Sequence, residues 1–204
     1  MDDGGDDAQM DDAEYERLIA KHSDPHFLSS KVRALIERLR HIEQHFACDK
    51  VLVFSNFTDF FRIVSKQLSK ARITHLQFHG AMSRKKRKSI LDEFEASATC
   101  KVLLISAKCA SVGLNLMCAN RVILLDPRCN SRLEQQAIGR VWRLGQKKKV
   151  YVERIIMQRT VEETMLSLLR NGDGDAAHEK AKFDESDFDV IFGVESESIR
   201  DDSD

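Results

Sequence analysis

The chain has 204 residues, 42% hydrophobic and 32% charged, with a formal net charge of −1. That length holds one domain with tails, or a domain and a small appendage. No stretch of the chain is apolar for long enough to span a membrane, and the acidic start MDDGGDDAQM is no secretory signal.

Five cysteines (Cys48, Cys100, Cys109, Cys118 and Cys129) form no C-x-x-C pair. Neither a zinc site nor a disulfide framework is suggested, and a reducing compartment is the plain reading. The net charge averages over unlike regions. Residues 1–16 carry eight acidic groups and no basic one, a balance of −8. Residues 172–204 carry twelve acidic groups against Lys180, Lys182 and Arg200, a balance of −9. Residues 17–171 therefore hold +16. A core so basic usually has a polyanionic partner, most often nucleic acid, although a solvated lysine-rich surface has the same composition.

In chain order, the acidic segment 1–28 reads as a tail, disordered or weakly helical. A helix starts near Ser29 or Ser30, either of which can cap it, and Val32, Leu35, Ile36, Leu39, Ile42 and Phe46 follow on one apolar face. Short apolar strands are predicted at Lys50–Phe54, Ile73–Phe78, Lys101–Ile105 and Arg121–Leu125. Helices are predicted over Thr58–Leu68, from Ser83 to about Glu95, and from Ser131 to about Arg143. Val150–Met157 reads as a fifth strand, rich in β-branched residues. Thr160 and Glu163 form a capping box for a last helix, which Asn171-Gly172 stops near Arg170. Residues 172–204, acidic with Phe183, Phe188, Ile191 and Phe192 interspersed, read as disordered or as a segment that folds on a partner.

Strands alternating with helices at this spacing predict an α/β fold, a doubly wound parallel sheet flanked by helices over residues 29–171. In such sheets ligands bind beyond the carboxyl ends of the strands. Ser55–Thr58, His79–Ser83, Ser106–Leu116 and Asp126–Arg143 are the segments placed there.

Neither G-x-G-x-x-G nor G-x-x-x-x-G-K-[ST] occurs in the chain. Phosphate hydrolysis needs backbone amides around the phosphates and a carboxylate for magnesium, and no segment offers both. The chain can at most complete a site built by another domain. The most informative stretch is Gln135 to Gln146, QQAIGRVWRLGQ. On a helix, Gln136, Arg140 and Arg143 would share one face. Two guanidiniums so aligned repel unless they share an anion, and a triphosphate undergoing transfer suits planar donors. A solvated basic helix face is the plainer alternative.

Gln136-x-x-Gly139-Arg140-x-x-Arg143 resembles motif VI of superfamily-two helicases, and the extension Arg143-Leu144-Gly145-Gln146 is similar to that of Swi/Snf-type ATPases. Other blocks agree in order and spacing. Val51–Phe57 resembles motif IV; Phe78–Ser83, with Arg87 four residues on, resembles the next motif; Ser106–Leu116 resembles motif V; Asp126–Asn130 resembles the turn before motif VI. The likeness spans about Ser29 to Leu169. Motifs I to III, with the phosphate loop and the D-E-x-H box, belong to a first lobe and do not occur in these residues.

The resemblance implies a second RecA-like lobe of a double-stranded DNA translocase, of chromatin-remodelling or DNA-repair type and nuclear. It implies ATP and Mg2+, bound mainly by the first lobe. Arg140 and Arg143 would act as arginine fingers. Gly113, Asn115 and Gln136 would line the nucleotide side. Ser55, Asn56, His79, Gly80, Ser106 and Lys108 would touch DNA phosphates through hydroxyls and backbone amides, and Arg87 would support that loop or contact a phosphate. Backbone contacts of this kind read no bases. Two positions depart from the family: Ala110-Ser111 stand where a glycine pair is common, and Gly139 where an acidic residue is often found.

Lys85-Lys86-Arg87-Lys88 could signal nuclear import, but as part of a helix it reads first as an exposed or DNA-facing side. Lys147–Lys149 is a solvated turn or a DNA contact. Trp142 is expected in the core. His75 and His79 lack a third ligand for a metal. The alternative to a motor lobe is a non-catalytic DNA- or protein-binding remnant of a truncated or split gene, which the acidic ends and the start at Met1 also suit. An RNA helicase lobe is disfavoured by Arg143–Gln146. Nucleosome or repair factors are further implied partners.

Overall fold

The computed structural model describes residues 17, 28–106, 109, 113–126 and 131–171. Expectations placed on 1–16 and 18–27, on Lys108, on 110–112, on the 127–130 turn and on 172–204 lie outside it.

Over residues 28–171, five helices and five strands follow one another among the described residues: α1 Ser30–His45, β1 Val51–Ser55, α2 Thr58–Lys70, β2 His75–Phe78, α3 Arg84–Ala96, β3 Val102–Ser106, β4 Arg121–Leu124, α4 Ser131–Ile138, β5 Tyr151–Arg154 and α5 Val161–Asn171. Ser29 caps α1, its hydroxyl accepting from Val32 N at 3.3 Å. Ser83 caps α3 in the same way, accepting from Lys86 N at 3.3 Å. At α5 Thr160 Oγ1 accepts from Glu162 N at 3.3 Å. The Glu163 carboxylate reaches back to Arg159 N rather than to Thr160, so the predicted capping box is shifted by one residue.

The strands form one parallel sheet in the order β2-β3-β1-β4-β5. Alternate residues of the central strands feed two cores. Val51, Val53, Val102, Leu104 and Ile123 pack against Val32, Leu35, Leu39 and Ile42 of α1 and against Phe61, Val64 and Leu68 of α2. Leu52, Phe54, Leu103, Ile105 and Val122 pack against Ile90 and Phe94 of α3 and against Ala137 and Val141 at and beyond the end of α4. Every residue of β1 and β3 is buried, as parallel strands covered on both faces must be. The doubly wound fold expected from the alternation is therefore present, and it is RecA-like. No helix among the described residues is long and apolar enough to cross a membrane.

Two packing expectations are corrected. Phe46 does not join the apolar face of α1; it is the C-cap residue, partly exposed, and its ring lies 4.1 Å from the Arg121 guanidinium. Trp142, expected in the core, is 72% exposed, because Ala137 and Val141 take the inward positions on that side of the sheet.

Candidate nucleotide and nucleic-acid site

The fold divides the sequence-predicted residues between two edges. At the carboxyl ends of β1, β3 and β2 lie Ser55, Ser106 and the loop after Phe78, and Ser55 and Ser106 are register partners. The crossover from β1 runs toward β2 and that from β4 toward β5, so the chain diverges between β1 and β4, where such sheets form a crevice. Asp126, just past β4, occupies it. Its carboxylate accepts from Ser55 Oγ at 2.5 Å and from Asn56 N at 3.0 Å, and Lys31 Nζ lies 3.8 Å away. Lys31 also pairs with Glu162, tying α1 to the start of α5.

This clamp corrects part of the expected DNA contact. Ser55 and Ser106 are only 2% and 1% exposed. The Ser55 hydroxyl serves Asp126 and accepts from Phe57 N at 3.1 Å, while the Asn56 amide is taken by Asp126. These two serines shape the loops from beneath and do not offer hydroxyls to a phosphate. The Asn56 side chain, His79 and Gly80 remain at the surface, and Lys108 lies outside the described residues. Gly80 approaches Cys109: a Cβ there would sit 3.8 Å from its Sγ, an ordinary contact. Burial pushes the Cys109 thiol up, against a smaller opposing pull from the Arg87 charge. The Arg87 Nε is buried with no hydrogen-bond partner among the described residues. Burial likewise raises the Cys100 and Cys118 thiols, which holds all three as protonated, unreactive groups at neutral pH.

The second edge corrects the motif VI helix. The helix α4 ends at Ile138, five residues before Arg143, so Gln136, Arg140 and Arg143 do not share one regular helical face. After it the chain tightens: Arg140 N donates to Ala137 O at 3.2 Å and Val141 N to Ile138 O at 2.9 Å, three-residue steps. The Arg140 carbonyl, which a continuing helix would need, accepts instead from Leu116 N at 3.0 Å. The tether comes from the loop before β4. Gln136, Arg143, Gly113 and Asn115 are exposed and Arg140 is half-buried. Arg143 Nε donates to Gly139 O at 3.1 Å, and Asn115 Oδ1 accepts from Met117 N at 3.4 Å.

Gln146 holds this edge together. Its Nε2 lies 3.0 Å from Met117 O, 3.0 Å from Ala119 O and 3.2 Å from Val141 O, while its Oε1 accepts from Lys148 N at 3.0 Å. Gly145 before it has φ +100°, a conformation that side-chain-bearing residues rarely adopt. The pair Gly145-Gln146 therefore builds a turn that bonds motif VI to Met117 and Ala119, just past motif V. Sequence reading used it only as a family mark. Replacing Gln146 with leucine leaves three carbonyls without that donor, and a loss of about 2 kcal/mol is expected in urea unfolding. An unchanged midpoint would remove the turn from this role.

Of these two edges only the first sits at the carboxyl ends of the strands. The other lies past the foot of α4, against the loop entering β4. The motif V stretch connects them, leaving β3 at Ser106 and reaching Arg140 at Leu116. Asp126 and Gln146 are the site residues missed by the sequence reading. Asp126 had been seen only as part of a turn. In the Lys147–Lys149 turn, Lys148 Nζ donates to Cys48 O at 2.6 Å, and Lys149 lies 5.3 Å from the Tyr151 ring. Among the described residues no group of three His, Cys, Asp or Glu could hold a metal.

Comparison with known proteins agrees with this geometry. The family described as helicase conserved C-terminal domain matches residues 30–145. The chain is 44% identical over 144 residues to the DNA repair protein RAD5 of Cryptococcus neoformans and 41% identical over 140 residues to the DNA repair protein rad8 of Schizosaccharomyces pombe. These matches cover 70% and 69% of the chain but only 12% of each relative. The C-terminal part of the Fun30 ATPase domain superposes with a TM-score of 0.72 at 28% identity, covering 84% of this chain and 55% of that one. The Sulfolobus solfataricus SWI2/SNF2 ATPase core in complex with dsDNA gives 0.59 at 29% identity, covering 78% and 35%. A parallel lobe of this order, matched by the domain family over more than half its length, belongs to the helicase conserved C-terminal domain family, in the form that Swi2/Snf2-type ATPases carry as their C-terminal lobe.

Proposed function

We propose that this chain is the second lobe of an ATP-dependent double-stranded DNA translocase of the DNA-repair type, acting in the nucleus. A first lobe, on a longer polypeptide or a neighbouring chain, binds ATP with Mg2+. Arg140 and Arg143 extend guanidinium N–H groups to the γ-phosphate oxygens as charge develops there. Gln136, Asn115 and the backbone at Gly113 line the same side. Asn56, His79, Gly80 and Lys108 hold the DNA backbone, with Arg87 bracing the loop from below. The residues fit the nucleotide in part: they are donors for phosphate oxygens, while Asp126, the carboxylate at the crevice, is already committed to Ser55, Asn56 and Lys31.

The observation that carries this reading is the Leu116 N to Arg140 O hydrogen bond. It ties the stretch leaving the DNA-facing edge to the backbone of the first finger. A shift at either edge is then felt at the other, as a motor that couples hydrolysis to stepping requires. The +16 of residues 17–171 supports a polyanionic track.

The reading is tested on this chain alone by duplex binding across a salt series. Affinity should fall with log salt with a slope of about −0.9 for each phosphate contacted, with little dependence on base sequence. Duplex RNA at matched salt should bind more weakly, and ATP should not be turned over. Sustained DNA-stimulated hydrolysis by this chain, or a preference for RNA, overturns the assignment.

A further inference from the structure

The corner beyond the foot of α4 carries two large apolar side chains that the fold leaves uncovered. Trp142 is 72% exposed and Leu144 103%. They flank Arg143, and the exposed Lys147 follows. Residues 135–152 hold five basic groups and no acidic one. Two apolar residues within a basic rim call for a ligand that is acidic and aromatic together.

The chain itself has such a segment. Residues 183–192, FDESDFDVIF, contain Phe183, Phe188, Ile191 and Phe192 among four acidic groups and no basic one. The last helix ends at Asn171, so eleven residues separate it from Phe183. Eleven residues extended span at most about 40 Å, and a lobe of this size has a radius of gyration of about 14 Å, so a large part of its surface is within reach.

We propose that the Trp142–Leu144 corner is a docking surface for an acidic peptide bearing aromatic side chains, and that its occupant is residues 183–192 of this chain. The aromatic groups cover Trp142 and Leu144 while the carboxylates face Arg143 and Lys147. If Arg143 acts as a finger, as in the reading above, a docked tail also withholds it from the first lobe. The interaction itself needs neither ATP nor DNA.

Trp142 is the single tryptophan of the chain, so its fluorescence reports the corner directly. In the full chain we expect a blue-shifted emission and weak acrylamide quenching. The tail double variant Phe188→Ser, Phe192→Ser should shift the emission to the red and raise the quenching several-fold, and high salt should act in the same direction. A synthetic peptide of residues 178–196, added to the double variant, should restore the blue shift; a scrambled peptide of equal charge should not. Equal emission and quenching in both chains overturns the proposal, as does equal rescue by the scrambled peptide. A blue shift that grows with protein concentration assigns the surface to a second copy and overturns the occupant named here. A failure of ATP turnover or DNA binding leaves these readings untouched, so the two proposals fail separately.

Discussion

Replacing Arg143 with alanine in a two-lobed protein should lower DNA-stimulated ATP turnover by roughly 10³–10⁵-fold, the range over which a supplied arginine finger acts in related NTPases. The geometry makes the substitution a clean one. Arg143 is exposed, and its bond from Nε to Gly139 O holds the side chain without supporting the core. That bond leaves the two terminal nitrogens for a phosphate. Lysine should restore little, because a single ammonium cannot grip two oxygens as a planar fork does. Arg140→Ala should fall similarly, since the tether to Leu116 uses the Arg140 carbonyl and survives the loss of the side chain. The decisive measurement is kcat at saturating ATP and DNA, with duplex binding measured in parallel. A finger lost only from the transition state lowers kcat and leaves DNA affinity alone. Turnover within twofold of the parent would remove both arginines from the chemistry.

A large effect on stability is expected at Arg121, at the amino end of β4. It opens β4 and is 2% exposed. Its guanidinium lies between the rings of Phe46 at 4.1 Å and Tyr151 at 4.6 Å, and its Nε donates to Asp49 Oδ2 at 2.7 Å. Glu153 lies 3.8 Å away and is held mainly by Arg38, at 2.5 Å. Arg121→Ala removes a packed side chain and leaves Asp49 without its nearest buried partner, the case in which breaking an ion pair costs most. A loss of about 3 kcal/mol is expected, read as a lower denaturant midpoint with an unchanged slope. Arg121 and Asp49 replaced together by methionine and leucine should recover much of that loss, because no charge is then stranded. If the single and double variants unfold alike, the pair contributes packing alone.

The strands were legible because burial on both faces demands continuous apolar runs, and Val51–Phe54 and Val102–Ile105 supply them. The starts of α1 and α3 were legible because Ser29 and Ser83 act within three residues of themselves. The end of α4 was not. Gln135 to Arg143 has no proline, and apolar periodicity carries the helix through to Arg143 even though Gly139, a residue type that often ends helices, lies within it. The helix ends at Ile138, directly before Gly139, and the Arg140 carbonyl beyond it accepts from Leu116, more than twenty residues earlier in the chain. The same limit explains Trp142. Its inward place exists only if the helix continues, and Val141 takes the buried position once the chain turns.

The sequence by itself determined the sheet, the winding of the chain around it, the family and the residue types that can meet phosphates. Each of these depends on patterns a few residues long. Only the tertiary structure decided that Ser55 and Ser106 lie beneath the surface, that Asp126 clamps the first loop, and that Gln146 bonds motif VI to the loop entering β4. Those roles depend on which backbone carbonyls and amides lie unpaired nearby, and that is set by loops meeting across the fold rather than along the chain.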